Sequence, residues 1–289
     1  MKIKNNFIFY ILFGMILNNS LAYAEEKEFY VFDAMTYLEK PSLYSEGLTK
    51  ANVIYQQFLY DDRNFKELPP YKKVSSYISK LKGSCNIILD IEKWPLFKGG
   101  SLNYNNLQQH VEFTHYVKSL KSVGVGYYGL VPIRDYHSSI SLFSYRRDKW
   151  EDKNSQLSPL VSAVDILYPS LYTFYNKPEK WKEYAISMLT EAKRVAKGKK
   201  VYAFLWPRFH ESNRRLKNQW VPADFWRLQL ETVYAHADGI VIWGGWDLHI
   251  KKKLKWNNQW AWWRETQGFV NELHMSNKLF KSDCESLTK

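Results

Sequence analysis

The chain has 289 residues and carries 41 lysines and arginines against 29 aspartates and glutamates, a formal net charge of +12. Such a surplus attracts polyanions: nucleic acid, anionic lipid or acidic polysaccharide. The two cysteines, Cys85 and Cys284, show no metal-ligand spacing, which excludes a zinc-ribbon class of protein. In an oxidising compartment they could form one long-range bridge, and two separate thiols are the alternative.

Residues 1–24 are predicted to be a cleaved secretory signal. Lys2 and Lys4 precede the apolar run FIFYILFGMIL, and Ala22-Tyr23-Ala24 ends the segment in the A-x-A pattern. An uncleaved membrane anchor is the alternative. Residues 25–289 are expected to form one domain, secreted or periplasmic, with no stable membrane insertion after cleavage. For an exported protein we expect no nucleic-acid partner; an acidic polysaccharide or anionic lipid fits the charge better.

Seven apolar segments, rich in β-branched and aromatic residues, predict buried strands. In chain order they are FYVFDA, NVIYQQF, NIILDI, GVGYYGL, SAVDILYPS, KVYAFLW and GIVIWGGW. Amphipathic runs lie between them, and the run from Pro178 to Gly198 has the proline start and glycine stop of a helix. This alternation predicts an α/β fold. No glycine-rich dinucleotide motif follows the first strand, so we expect an irregular TIM-like (β/α) barrel of about seven parallel strands rather than a Rossmann fold.

Acids and aromatic residues collect where the predicted strands end, and in a barrel the chemistry lies at those ends. The chain holds 12 Trp, 21 Tyr and 16 Phe, and aromatic rings stack well on the apolar faces of sugars. An aromatic core is the alternative explanation. The strand-end candidates for binding are Tyr128, Tyr168, Tyr172, Trp206, Arg208, Trp243 and Trp246.

Asp90 and Glu92, at the end of the third strand, are the candidate catalytic residues. Residues two apart on a strand point to the same side, with their Cα atoms about 6.5 Å apart. Two carboxylates this close raise the pKa of one of them, which then keeps a proton near neutral pH. Such a proton can be given to a departing glycosidic oxygen. A strand-end acid pair salt-bridged to lysines is the alternative.

Five segments, in the same order, resemble the hyaluronidase family of glycoside hydrolases. They are VIYQQFLYDDRNFKELPPY, ILDIEKWPLF, GYYG, LYPSLY and GIVIWGGWD. The resemblance spans residues 29–273, most of the mature chain. It implies an irregular α/β barrel and a substrate-assisted mechanism, in which the N-acetyl carbonyl oxygen of the substrate attacks its own anomeric carbon.

The resemblance also implies roles for individual residues. Glu92 would be the general acid and then the base, and Asp90 would orient and polarise the acetamido group. Trp243 would form the wall against which the N-acetyl methyl group packs. Tyr136 is the match for a tyrosine that supports the acetamido group, in a loop whose length differs from that of the family. Phe204, Trp206 and Phe209 compete for one aromatic position after the sixth strand.

The remaining candidates divide by the end of the strand on which they lie. For Tyr168, core packing is an equal alternative to lining the cleft. Cations after strand ends could meet the carboxylates of a glycosaminoglycan, whereas those before a strand are expected to be solvated. The first set is Arg208, Arg214, Arg215 and Lys251–Lys253, and the second is Lys197, Lys199 and Lys200. The histidines show no ligand spacing, and neither a metal nor a cofactor is predicted.

The chain departs from animal hyaluronidases in having few cysteines and no cysteine-rich C-terminal module. We interpret it as a divergent, minimal and bacterial member that hydrolyses β-N-acetylhexosaminide linkages of hyaluronan or a chondroitin-like chain. Two alternatives remain: a non-catalytic glycan-binding protein on the same barrel, and a hydrolase of another N-acetylhexosamine polymer such as peptidoglycan.

Overall fold

The computed structural model describes residues 28–61, 64–81, 86–247 and 250–279. The predicted signal segment, Cys85 and Cys284 lie outside these residues, so their interpretation stays a prediction. The helices are α1 (Tyr71–Ile78), α2 (Tyr104–Leu120), α3 (Ser144–Gln156), α4 (Ser158–Ala163), α5 (Pro178–Ala196), α6 (Ala223–His236) and α7 (Ala261–Met275). The strands are β1 (Tyr30–Met35), β2 (Thr49–Lys50), β3 (Asn52–Tyr55), β4 (Asn86–Asp90), β5 (Phe97–Lys98), β6 (Ser101–Leu102), β7 (Gly124–Tyr127), β8 (Ile166–Leu167), β9 (Lys200–Leu205), β10 (Gly239–Gly244), β11 (Trp246–Asp247) and β12 (Lys252–Lys253).

The barrel is built from two parallel sheets. One has the order β2-β1-β10-β9-β8 and the other β3-β4-β7. They meet at Ala51, which separates β2 from β3 and donates its N–H to the carbonyl of Asp33 at 2.9 Å. They meet again where Tyr128, after β7, forms a parallel bridge with Tyr168, after β8. The predicted α/β fold with parallel strands is confirmed, and each of the seven predicted segments contains a strand.

Alternate side chains of these strands fill the barrel interior. Phe32, Ile88, Phe204 and Val241 are each at most 2% exposed and belong to one apolar cluster. Because strand side chains alternate between faces, Asp90 shares the inward face of β4 with Ile88. The interior is therefore apolar at mid-height and carries a carboxylate at the carboxyl end of β4.

Helices cover the outside of the five-stranded sheet, with bulky indoles between them. Trp181, Trp226 and Trp262 are almost fully buried, and Trp226 donates its Nε1–H to Thr266 Oγ1 at 2.9 Å, which joins α6 to α7. Burying one such side chain removes roughly 200 Å² from water and stabilises the fold by roughly 5 kcal/mol as an upper figure. None of the described helices has both the length and the hydropathy needed to cross a bilayer.

Lys199 differs from its predicted solvated state. Its ammonium group donates hydrogen bonds to the carbonyl oxygens of Val161 and Val164. Burial lowers the pKa of Lys199 from its ordinary value. This lysine therefore satisfies backbone acceptors at the end of α4, just before the chain enters β8.

Candidate active site

β4 brings the two predicted catalytic carboxylates to one end of the barrel. Asp90 is the last residue of β4 and lies opposite Tyr55 of β3 in the parallel register. Asp90 is half-buried, and Glu92, two residues later, is exposed. The pair lines a cleft of about 270 Å³, whose other lining residues are Gln56, Gln57, Phe65 and Lys93. The structure thus opens both acids onto one cavity.

Asp90 is the carboxyl group that this environment perturbs. Its Oδ1 is buried and has no hydrogen-bond partner among the described residues. Burial, and secondarily the charge of Glu92, raises the pKa of Asp90 to about 7. The sequence predicted one raised pKa in the pair. In the unliganded protein the raised pKa belongs to Asp90, the predicted partner of the acetamido group.

The loop after β4 is held in place by hydrogen bonds to its backbone. Gln56 is buried, and its Oε1 accepts the N–H of Lys93 at 2.9 Å. Trp94 donates its Nε1–H to the carbonyl of Phe65 at 2.6 Å, and its own carbonyl lies 3.0 Å from Nε2 of buried His110. Since these contacts flank Glu92 on its C-terminal side, they restrict where its carboxylate can lie over the cleft.

An aromatic wall, defined here as Tyr55, Tyr128, Tyr172, Trp206 and Trp243, lines the barrel end. Trp243 donates its Nε1–H to the hydroxyl of Tyr55 at 2.9 Å. The Trp243 ring centroid lies 5.2 Å from that of Trp206 and 5.8 Å from that of Tyr172, which is 5.6 Å from Tyr128. The wall joins side chains from five strand ends, and it includes four of the predicted binding residues.

The hydroxyl groups of the wall stay protonated at neutral pH. Burial is the largest cause that raises the pKa of Tyr55 and Tyr128 to about 12, and it raises that of Tyr172 well above its ordinary value. The charge of Asp90 contributes to all three shifts, because its carboxylate faces these rings. Tyr172 and Trp206, at 6% and 2% exposed, pack in the interior beneath the wall surface, as Tyr168 does, whereas Tyr55, Tyr128 and Trp243 are half-buried and can offer a sugar ring faces and neutral hydroxyl groups.

Tyr168 lies in the packed interior rather than on the cleft surface. It is 1% exposed, and its ring centroid lies 6.0 Å from those of Tyr202 and Phe204. Gly126 makes room for it, because a Cβ there would meet the Tyr168 ring at 2.8 Å and the Ile166 carbonyl oxygen at 2.2 Å. Of the two predicted alternatives for Tyr168, the structure supports core packing.

Arg208 is engaged within the protein. It is 7% exposed, with Nη1 3.1 Å from an Asp247 carboxylate oxygen and its guanidinium carbon 4.3 Å from the centre of the Trp220 ring. A contact with a substrate carboxylate, as predicted, would require this ion pair to open. Trp246 is 37% exposed on β11, beyond the end of β10, and its binding role stays a prediction.

Tyr136 and Arg134 lie beyond the wall, on the loop after β7. Tyr136 stacks on Phe174 with ring centroids 4.4 Å apart, and Arg134 lies 5.9 Å from the Tyr136 ring centre. Nη1 of Arg134 is 3.5 Å from Nε2 of His210, whose ring is 5.9 Å from that of Tyr172. Burial and the charge of Arg134 lower the pKa of His210 to about 4, so this histidine is neutral at pH 7. These contacts connect Tyr136 to the wall through His210; its predicted acetamido role stays a prediction.

A larger cleft, of about 740 Å³, lies between β1 and β3, where residues 36–48 form no helix. It contains the ion pair between Asp33 and Lys40, and Tyr55 of the aromatic wall is one of its lining residues. We place the candidate active site at the smaller cleft, because it holds two carboxylates that form no salt bridge among the described residues, and because Asp90 lies opposite Tyr55 of the wall. Among the described residues, no group of His, Cys, Asp and Glu is arranged to hold a metal ion.

Comparisons with known proteins find a likeness in structure and none in sequence. No protein-family model matches the chain, and no curated protein matches it. A crystal structure of bee venom hyaluronidase in complex with a hyaluronic acid tetramer matches with a TM-score of 0.59 and 16% identity, over 86% of this chain and 96% of that one. A second, monoclinic structure of bee venom hyaluronidase matches with a TM-score of 0.53 and 15% identity, over 86% and 98%. The chain shares the α/β barrel fold of these two structures.

This likeness to glycoside hydrolases establishes the fold alone, since the identities are low. It agrees with the position of the acid pair, because barrel enzymes carry their chemistry at the carboxyl ends of the strands. Tyr55, Gln56 and Arg134 are the parts of the site that the sequence analysis did not single out. Their signal was weak: each is a single residue whose position depends on strand pairing or on a loop.

Proposed function

We propose that the protein is an exported glycoside hydrolase that cleaves β-N-acetylhexosaminide linkages of a glycosaminoglycan, hyaluronan or chondroitin, by substrate-assisted retaining hydrolysis. The observation that carries the proposal is the acid pair of Asp90 and Glu92 at the end of β4, open to a cleft beside the aromatic wall. The likeness to a hyaluronidase that binds a hyaluronic acid tetramer supports the substrate class.

The two acids can use one proton in turn: Asp90 holds it before the substrate binds, and Glu92 gives it to the leaving group. Near neutral pH the unliganded pair holds a proton on Asp90. An acetamido N–H that approaches Asp90 would stabilise its charged form, since a carboxylate accepts hydrogen bonds best when it is ionised. The proton is then available to Glu92, whose exposed carboxyl group gives it to the departing glycosidic oxygen.

The second half of the reaction reverses the direction of proton transfer. With the leaving group gone, the Glu92 carboxylate takes a proton from the water that opens the cyclic oxazolinium intermediate. Asp90, ionised and in a poorly solvated position, stabilises the positive charge of that intermediate. Trp243, held by Tyr55, provides a flat apolar surface for the N-acetyl methyl group.

Product analysis by mass spectrometry tests the proposal. The purified protein is incubated with hyaluronan and, separately, with chondroitin. Saturated, hydrated oligosaccharides with N-acetylhexosamine at the reducing end are expected. Unsaturated products would point to a lyase, and binding without any cleavage would point to a glycan-binding protein; either result overturns the proposal.

A further inference from the structure

A third cleft, which has a strongly positive lining, lies further along the barrel rim. The cleft has a volume of about 640 Å³ and is formed by the loop after β8, the start of α5 and the loop after β9. We call it the basic pocket; its lining residues are His137, Phe174, Tyr175, Asn176, Lys177, Lys180, Ser212, Asn213, Arg214 and Arg215. The lining has four cations and no acid.

Most of this positive charge is not neutralised by the protein. Lys180 pairs with Glu183 at 2.6 Å, whereas Lys177, Arg214 and Arg215 are exposed and form no salt bridge within the described ranges. Nearby Asp135 accepts the backbone N–H groups of its own turn, at 2.9 Å and 2.7 Å. Three cations are therefore available to an anionic ligand.

The pocket is held in shape by a buried side chain. Asn213 is 5% exposed, and its Nδ2 donates to the carbonyl of Phe174 at 2.8 Å. Its Oδ1 accepts the N–H groups of Arg215 and Leu216 at 3.1 Å and 2.9 Å. The Asn213 amide thus joins the loop that carries both arginines to the loop after β8, so that the backbone of this loop is held in place before a ligand arrives.

The basic pocket is connected to the aromatic wall through side chains in contact. Its Ser212 Oγ lies 2.7 Å from Nδ1 of His210, and its Phe174 stacks on Tyr136. His210 in turn contacts Arg134, and it also contacts Tyr172, which belongs to the aromatic wall. Aromatic faces and positive charges therefore continue from the wall to the pocket along one stretch of rim.

From this arrangement we infer that the basic pocket is a distal subsite, which holds the anionic group of another sugar in the polysaccharide chain that occupies the acid-pair cleft. The inference rests on the proposed function for its substrate class. The ligand is a uronate carboxylate or a sulfate ester; arginine forms bidentate hydrogen bonds with either group, and Phe174 and Tyr175 offer ring faces to the sugar. A neutral N-acetylhexosamine polymer would leave the three cations without partners.

Calorimetric titration of a variant that lacks the proposed general acid, and therefore cleaves very slowly, tests this inference. The Glu92→Gln protein is titrated with a hyaluronan octasaccharide and with the same octasaccharide after reduction of its carboxyl groups to alcohols. Adding Arg214→Gln and Arg215→Gln together is expected to raise the Kd for hyaluronan about tenfold and to change that for the reduced chain less than twofold. The matched control is the pair Lys72→Gln and Lys197→Gln, which removes two exposed cations elsewhere and should leave both constants unchanged.

Further ligands identify the anion and separate the two proposals. A chondroitin octasaccharide with and without 4-sulfate distinguishes a sulfate preference from a carboxylate preference. Equal losses for charged and reduced chains, equal losses in the control pair, or equally tight and equally sensitive binding of single-stranded DNA would each overturn the subsite. Because binding is measured without turnover, a failure of the proposed reaction shows only in the product analysis and leaves this readout intact.

Discussion

Trp243 on β10 and Tyr55 on β3 are joined by a 2.9 Å hydrogen bond from indole Nε1 to the phenol oxygen. The two residues belong to different sheets of the barrel, and their side chains meet where Asp90 ends β4. This bond restrains the orientation of the Trp243 indole ring. It is therefore the first contact that we would remove.

Tyr55→Phe keeps the ring and deletes the acceptor of Trp243. We expect kcat/KM on hyaluronan to fall about tenfold and the free energy of unfolding to drop by about 1–2 kcal/mol, because the indole N–H loses its partner. Urea unfolding and steady-state kinetics measure the two effects. Tyr116→Phe, which deletes a 2.8 Å bond from Tyr116 to the carbonyl of Tyr71 on the outer helices, is the control. An unchanged kcat/KM in Tyr55→Phe would show that Trp243 needs no positioning.

Glu92→Gln removes the transferable proton and keeps the shape of the side chain. We expect kcat to fall about 10³-fold, the usual contribution of general acid–base catalysis. The free energy of unfolding should change by less than about 0.5 kcal/mol, since Glu92 is exposed. Turnover near the level of the unmodified protein would remove Glu92 from the mechanism.

Asp90→Asn is expected to change how the free energy of unfolding depends on pH. The pKa of an unfolded aspartate is about 3.9, whereas burial raises the pKa of Asp90 in the folded protein to about 7. Its stabilising contribution is therefore complete below ~3.9 and is lost as the pH rises through 7.

Asparagine is neutral throughout this range. The variant should match the unmodified protein at pH 4 and exceed its free energy of unfolding at pH 8, by on the order of 2–4 kcal/mol. Urea titrations at the two pH values measure the difference, with Asp148→Asn, an exposed aspartate on α3, as the charge-matched control. A variant less stable than the unmodified protein at pH 8 would contradict the assignment of the retained proton to Asp90.

Gln56→Met keeps the volume of the side chain and deletes the acceptor of the Lys93 N–H. The loop that carries Glu92 loses one restraint, so kcat should fall about tenfold while KM changes little. Gln109→Met is the control, because it deletes a comparable 2.9 Å bond to the Lys66 carbonyl on the surface. A rise in KM alone would mean that Gln56 binds substrate and does not position the acid.

Gly126→Ala tests the packing under the wall. Its new methyl group would meet the Ile166 carbonyl oxygen at 2.2 Å, and we expect a loss of about 3 kcal/mol in the free energy of unfolding. Gly268→Ala in α7 is the matched control, since a Cβ there has no neighbour within 4 Å. That substitution should stabilise the protein by about 0.5–1 kcal/mol. If Gly126→Ala and Gly268→Ala changed the free energy of unfolding to a similar extent, the side chains around Tyr168 would have to rearrange to accept the new methyl group.

The sequence was sufficient for features that depend on local pattern. Continuous apolar segments identified the seven strands. The spacing of Asp90 and Glu92 predicted that both acids face one cavity, and they do, although β4 ends at Asp90 and Glu92 lies in the loop after it. Helix α3 was not predicted, because only Trp150 and Asn154 of its residues are buried and its apolar periodicity is weak. The expected strand NVIYQQF ends at Tyr55, where a 3₁₀ turn (Gln56–Phe58) begins.

Features that depend on pairing between distant segments of the chain could not be predicted from the sequence. Tyr55 belongs to the wall only because β3 and β4 pair with Tyr55 opposite Asp90. Arg208 follows a strand end as predicted, but its ion pair with Asp247 depends on how two rim loops meet. The raised pKa of Asp90 likewise comes from burial against the barrel interior, which residue spacing cannot report.

The division of the barrel at Ala51 has a mechanical consequence. Asp90 belongs to the three-stranded sheet, and Trp243 belongs to the five-stranded sheet. The two sides of the site therefore lie on different sheets, which are joined at their edge strands. A glycan bound between Asp90 and Trp243 would contact both sheets at once. A bound glycan would then restrain the two sheets relative to each other, and backbone amides around Ala51 and Tyr128 would exchange with solvent more slowly when the site is filled.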